Sequence, residues 1–151
     1  MREHADHYDA ELLLRLYDLR REDKLRKARE WFMREFRAKS VEEFNSECPP
    51  GSQNSDYFRM LVSYWDMAAS IVNHGLIKEE FFFENTSEFW IVWEKTRDLA
   101  LGFRENRKNP YLWSNLETLA EKFKVWMAKR APEALDSTRQ RLLGGASSKK
   151  P

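Results

Sequence analysis

Chemistry in this chain could be carried by one carboxylate, Asp66, and by the cations and rings that would have to surround it. From Arg59 to Asn73 the polar residues are Arg59, Ser63, Asp66, Ser70 and Asn73, spaced four, three, four and three. At about 100° per residue they form a stripe roughly 80° wide on a helix whose other positions are apolar or small. So narrow a stripe implies a helix enclosed by neighbours on most of its surface. A covered Asp66 needs a cationic partner, because an unpaired buried carboxylate is costly, and Arg97 and Arg104 are the candidates. If the stripe lines a groove instead, it makes a small-molecule site walled by Tyr64, Trp90 and Trp93. The simpler alternative is structural, a stripe that faces solvent or pairs internally.

Other reactive groupings are weaker. His4 and His7 stand at i and i+3 beside Asp6 and Asp9, a spacing that could chelate a metal, but they sit at a chain end expected to fray. His74 precedes Gly75, where an imidazole suits a helix C-terminus. Glu79, Glu80, Glu84 and Glu88 have no histidine partner, so solvated first-turn acids describe them better than a di-metal centre. Cys48 lies in Cys-Pro-Pro-Gly with no nearby histidine and is a poor nucleophile. No Gly-x-Ser-x-Gly turn or Gly-rich phosphate loop occurs. The residues point to no catalytic group, metal or cofactor.

Helices must position these residues. Leu12, Leu13, Leu16 and Leu19 follow helical spacing after a cap at Asp9, and Asp23 is placed to cap a segment presenting Leu25, Ala28, Phe32 and Phe36. The two segments could be one kinked helix. Ser40-Val-Glu-Glu43 is a capping box opening a short helix, and Glu47 to Ser55 reads as a loop. Asp56 is the expected cap of the central helix, about Tyr57–His74, and Gly75 its left-handed end. A brief helix over Lys78–Glu84 follows, then one carrying Phe89, Trp93, Thr96, Ala100 and Phe103. Asn109-Pro110 predicts the start of the next, with Leu116, Leu119, Phe123 and Trp126 on its inner face. Pro132 restarts a weaker helix that Gly144-Gly145 ends. No credible strand is present. The expectation is an all-α domain over 1–143, a compact array of about six helices around the central one, with a flexible basic tail at 144–151.

Composition agrees: 151 residues, 42% hydrophobic and 34% charged, make a globular mixture long enough to bury a core. No apolar run approaches the roughly 18 residues of a membrane span. One cysteine and no signal sequence suggest a cytoplasmic setting. Charge is uneven, net +5 over Arg15–Lys39, −7 over Ser40–Glu121 and +6 over Lys122–Pro151. Arg20, Lys24 and Lys27 could share a basic face, but interspersed acids and a total of +1 argue against nucleic acid as partner.

Ile71-Val-Asn-His-Gly-Leu-Ile-Lys-Glu-Glu80, then Phe89-Trp90, Trp93-Glu94, Arg97 and Arg104, resemble a bacterial all-helical family of uncharacterised proteins, a domain of unknown function. Arg26–Trp31 is similar to its early helix, and the resemblance spans roughly Leu12 to Trp126. It implies an all-helical fold and supplies no catalytic residues. Some members carry a preceding membrane helix, which has no counterpart here.

The function expected from these features is a non-enzymatic helical interaction module, self-associating or bound to a protein partner. Six Trp and ten Phe motivate it, as rings that a small domain would leave partly exposed. The alternative is a small-ligand-binding domain with an aromatic-walled pocket between the central helix and the helix of Trp90 and Trp93.

Overall fold

The computed structural model describes residues 3–143. Eight helices follow one another among the described residues: α1 (His7–Arg20), α2 (Asp23–Arg34), α3 (Val41–Glu47), α4 (Gln53–Asn73), α5 (Glu79–Asn85), α6 (Glu88–Asn106), α7 (Ser114–Arg130) and α8 (Ala134–Thr138). A π-type turn over Arg139–Leu143 continues α8. The fold is all-α, and the described residues contain no strand. Three of the eight, α3, α5 and α8, are short, at seven, seven and five residues. The expected tail at 144–151 lies outside the described residues.

α4 is the enclosed centre of the array. Leu61, Trp65, Ala68 and Val72 are 0, 2, 0 and 3% exposed, while Arg59 and Ser63 face solvent and Asp66, Ser70 and Asn73 are half-buried. α2, α7 and α6 lie against it. α3 crosses α6 where Gly102 offers no side chain; a Cβ there would stand 2.7 Å from Val41 Cγ2. Aromatic contacts are dense around α4: Phe44 meets Phe58 at 4.7 Å and Phe103 at 5.0 Å, and Phe83 and Phe89 each meet Phe123 at 5.2 Å. Every Phe and Trp is buried or half-buried, with Phe81, Trp113 and Trp126 the partly exposed rings. The seven other helices, packed with the 21-residue α4, provide the interior for the rest.

Several helix starts differ from expectation, each for a capping reason. α1 begins earlier, because Asp6 rather than Asp9 is its cap. Asp6 Oδ1 accepts the amides of Tyr8 and Asp9, and Asp9 Oδ1 accepts that of Asp6. Glu22 replaces Asp23 as cap of α2 and accepts the amide of Leu25 at 3.1 Å, so α1 and α2 are two helices rather than one kinked helix. Ser40 accepts the Glu43 amide at 3.1 Å as expected, whereas Glu43 reaches the amide of Lys39, not that of Ser40. α4 begins at Gln53 under a Ser52 cap, which shortens the expected loop and leaves Asp56 in the first turn.

At the other end of α4, the amides of Gly75 and Leu76 donate to the carbonyls of Val72 and Ile71, and Gly75 has φ +79°. This is the left-handed closure that favours glycine. α7 starts at Ser114 instead of Pro110. The side-chain oxygen of Asn109 accepts the Tyr111 amide at 3.0 Å, and that local bond makes a turn where a helix was expected.

Candidate functional site

The polar stripe of α4 serves a neighbouring helix. Trp113, which precedes α7, has φ 58° and provides no side-chain cap. Asp66 reaches across from α4, and its Oδ1 accepts the amide of Leu116, in the first turn of α7, at 3.0 Å. Asn73 donates to the carbonyl and side-chain oxygens of Asn115 at 3.0 and 3.2 Å. Burial pushes the Asp66 carboxyl above its ordinary value, while the Leu116 amide, the charge of Arg104 and the Asn115 amide pull it back.

Neither expected arginine forms an ion pair with Asp66. Arg104 donates to the Leu112 carbonyl and to Glu117, each at 2.8 Å, fastening the turn between α6 and α7. Arg97 is exposed and meets Glu94 at 3.5 Å. The Asp66 partner is a backbone amide because the uncapped start of α7 lies directly opposite.

The three rings separate as well. Trp90 and Trp93 are 1 and 3% exposed and sit in the core. The Trp90 indole N–H has no hydrogen-bond partner, and the Arg139 guanidinium lies 5.2 Å from its ring centre while bonding Glu94 at 2.7 Å. Tyr64 faces the other way, toward α1, and its hydroxyl donates to the carbonyl of Leu16. Burial pushes that phenol up to about 12. Tyr64 lines a cavity, but the helix across it is α1 rather than α6.

That cavity is a cleft of about 250 Å³ between α1, α4 and α5. Two bonds hold α1 above it: the Tyr64 bond to Leu16, and the 2.6 Å bond that the Lys78 amide, at the start of α5, donates to Asp9 Oδ2. Asp9 is a fully buried carboxylate whose second oxygen caps its own helix. Leu13, Leu16, Trp65 and Phe82 form apolar walls, and Leu14 and Tyr17 stand at the exposed rim. Three polar residues, Arg20, Asn85 and Thr86, complete the lining. Arg20 Nε and Thr86 Oγ1 are both shut off from solvent, and neither has a hydrogen-bond partner. Such orphaned groups are uncommon in a folded core and each calls for an explanation.

Beside Trp65 the polar groups are satisfied. Arg29 grips Glu88 through Nε and Nη2 at 2.8–2.9 Å, and the Trp65 indole donates to Glu88 at 2.9 Å. The hydrogen bond to Glu88 raises the Arg29 pKa further. Lys95, 6% exposed, is a second buried charge outside the predicted set. Its amine donates to the Phe32 carbonyl near the end of α2 and lies 4.8 Å from the Phe32 ring centre. Burial, aided by Arg37 and Lys39, brings its pKa down to about 8.

Cys48 is buried, and burial pushes its thiol up to about 11, which holds it in the unreactive protonated form. Among the described residues no three His, Cys, Asp or Glu side chains converge as metal ligands, and no helix is long and apolar enough to cross a membrane.

Two of the missed residues had a signal in the sequence. Asp9 shares its helical register with Leu12, Leu13 and Leu16, and Lys95 shares one with Val92 and Leu99, so each was placed to face inward. Arg20 and Thr86 carried none, because only the folding of the chain brings them to one cleft.

No curated protein and no solved structure matches this chain. The model of one protein family, described as Domain of unknown function (DUF4760), matches residues 6–123, so most of the fold from α1 into α7 is shared, and the chain belongs to that family.

Proposed function

We propose that this protein is a non-enzymatic small-ligand-binding domain whose site is the cleft beneath α1. The observation that carries the reading is an apolar cavity lined in part by Arg20 and Thr86, each of which holds an enclosed polar atom, Nε and Oγ1, with no hydrogen-bond partner. Pockets of this kind use apolar walls for affinity and a few polar groups for orientation.

The test is thermal unfolding of the full chain with octanoate, 1-octanol, phenylacetate or indole, beside the variant Leu14→Trp. Leu14 is 63% exposed at the rim, so a larger ring there obstructs the mouth without entering the core. A ligand bound only by the folded state at about 100 times its Kd adds about 2.7 kcal/mol. The reading expects at least one compound to raise the Tm of the wild type and not that of Leu14→Trp. Equal shifts in both proteins, or none in either, would overturn it.

A second reading, the self-associating interaction module, is supported by α1 itself. Tyr8, Leu14, Tyr17 and Leu19 are 70, 63, 47 and 49% exposed. With the inward leucines they spread apolar residues over roughly 240° of the helix, more than one packed side requires. Sedimentation equilibrium tests it: a dimer mass that reverts to one chain in Leu19→Glu supports the module, and a single-chain mass throughout removes it. A cytoplasmic setting, compatible with a lone buried thiol, belongs to either reading.

A further inference from the structure

We infer that the ligand of the cleft beneath α1 is a small apolar carboxylate, its body against Leu16, Trp65 and Phe82 and its carboxylate toward Arg20 and Thr86. This rests on the binding reading above and names the ligand class.

The cleft has one charged residue in its lining, Arg20, and no acid. Among the described residues Arg20 forms no ion pair, whereas Arg29, on α2, holds Glu88 in a two-pronged grip. The Tyr17 ring, 5.2 Å from the Arg20 guanidinium carbon, keeps that group beside the rim. An arginine N–H can only donate, and a threonine hydroxyl has one hydrogen to give. Other donors of the lining have partners: the Tyr64 hydroxyl donates to the Leu16 carbonyl, the Trp65 indole to Glu88, and one N–H of the Asn85 amide to the Phe81 carbonyl at 2.8 Å. Arg20 Nε and the Thr86 hydroxyl each still lack an acceptor.

Acceptors come in several charges, and the surroundings select among them. A cationic ligand would meet Arg20 with no acid to offset it. A phosphate would bring nearly two charges to one cation. A carboxylate brings one charge and the planar pair of oxygens that a guanidinium fork fits. Size narrows the class further. At about 250 Å³ the cleft lies just below the range of about 300–1,000 Å³ usual for ligand pockets. That suits a short aliphatic chain or a single aromatic ring rather than a long-chain lipid.

Calorimetric titration of the full chain with octanoate and with 1-octanol, which share a chain and differ in the head group, tests the inference. Wild type, Arg20→Gln and Thr86→Val are compared, each checked for helical content by circular dichroism. A charge-assisted hydrogen-bonded contact should favour octanoate over octanol by about tenfold in the wild type. That preference should vanish in Arg20→Gln and shrink in Thr86→Val, because octanoate affinity falls further than octanol affinity. Equal affinities in the wild type, or a preference that survives Arg20→Gln, would overturn the carboxylate inference and leave the cleft as a neutral-ligand site. If neither compound binds, the cleft reading itself fails and the inference falls with it.

Discussion

The carboxylate of Asp66, two-thirds of the way along α4, accepts the amide hydrogen of Leu116 at 3.0 Å, at the one end of α7 that has no cap of its own. A helix N-terminus leaves its first amides without intrahelical partners, and the usual remedy is the residue just before it. Trp113 occupies that place in a left-handed conformation and cannot serve. The central helix therefore satisfies α7 from the side. Lys95 does the complementary thing for α2, bringing a positive amine to the Phe32 carbonyl near its C-terminus, where a cation suits the helix dipole. Both bonds fasten one helix to the end of another.

Replacing Asp66 distinguishes a capping role from one that needs charge. Asp66→Ala removes the acceptor of the Leu116 amide and should cost about 1–2 kcal/mol in urea unfolding. Asp66→Asn keeps an acceptor and should fold nearly as stably. The pH dependence has a definite sign. Because burial raises the folded pKa above the ordinary 3.8, the contribution of this group is fully present below that value and lost as pH rises through the raised one. Asp66→Asn should lack that loss, so it gains on the wild type across the same rise. A collapse of Asp66→Asn equal to that of Asp66→Ala would contradict capping.

Lys95 gives a second titration, of opposite direction. Its folded pKa of about 8 lies below the ordinary 10.5, so between those values the unfolded chain binds the extra proton. Stability should therefore rise with pH from about 8 to about 10.5. Solvent that still reaches the amine screens part of the effect, leaving a gain on the order of 1–2 kcal/mol. Urea midpoints at pH 7.5 and 10 measure it against Lys95→Met, which should lack the gain.

How far the fold could be read ahead follows from which forces are local. The enclosure of α4 was legible because burial imposes a 3.6-residue period on Leu61, Trp65, Ala68 and Val72. The Gly75 closure was legible because a left-handed residue after a helix favours glycine. The start of α7 was not: Asn109-Pro110 has the chemistry of a helix start, and the competing bond from Asn109 to the Tyr111 amide makes a turn instead. The sequence assigns Asp66 a cationic partner if it is covered, and the structure leaves it half-buried on a backbone amide. The partner was sought among arginines because sequence shows side-chain charges but not which backbone amides a fold leaves uncapped. Tyr64 and Trp93 are expected as walls of one pocket, yet Tyr64 bonds the Leu16 carbonyl of α1 while Trp93 is buried on α6, and only the folding of the chain brings Arg20 and Thr86 to one cleft.

Thr86 offers a test of the free protein. Its hydroxyl is enclosed without a partner, so Thr86→Val removes a desolvation cost and keeps the shape. Without ligand the variant should gain about 1 kcal/mol, which is a Tm increase of about 2–4 °C for a chain of this size. Scanning calorimetry reads it directly, and a lower Tm would show that the hydroxyl has a partner in the folded protein.

Trp93 tests whether the helix once expected to wall a pocket is simply core. At 3% exposure, Trp93→Ala should cost about 3–5 kcal/mol in chemical denaturation. A loss below about 1 kcal/mol would place the ring at a surface.

The most direct examination of the cleft beneath α1 is a map of backbone amide chemical shifts in the full chain as octanoate is added. Binding there should move the signals of Leu13 to Arg20, of Tyr64 and Trp65, and of Phe82 to Thr86, leaving those around Leu116 in place. Shifts centred on Trp90 and Trp93, or none at millimolar octanoate, would contradict the assignment of the site.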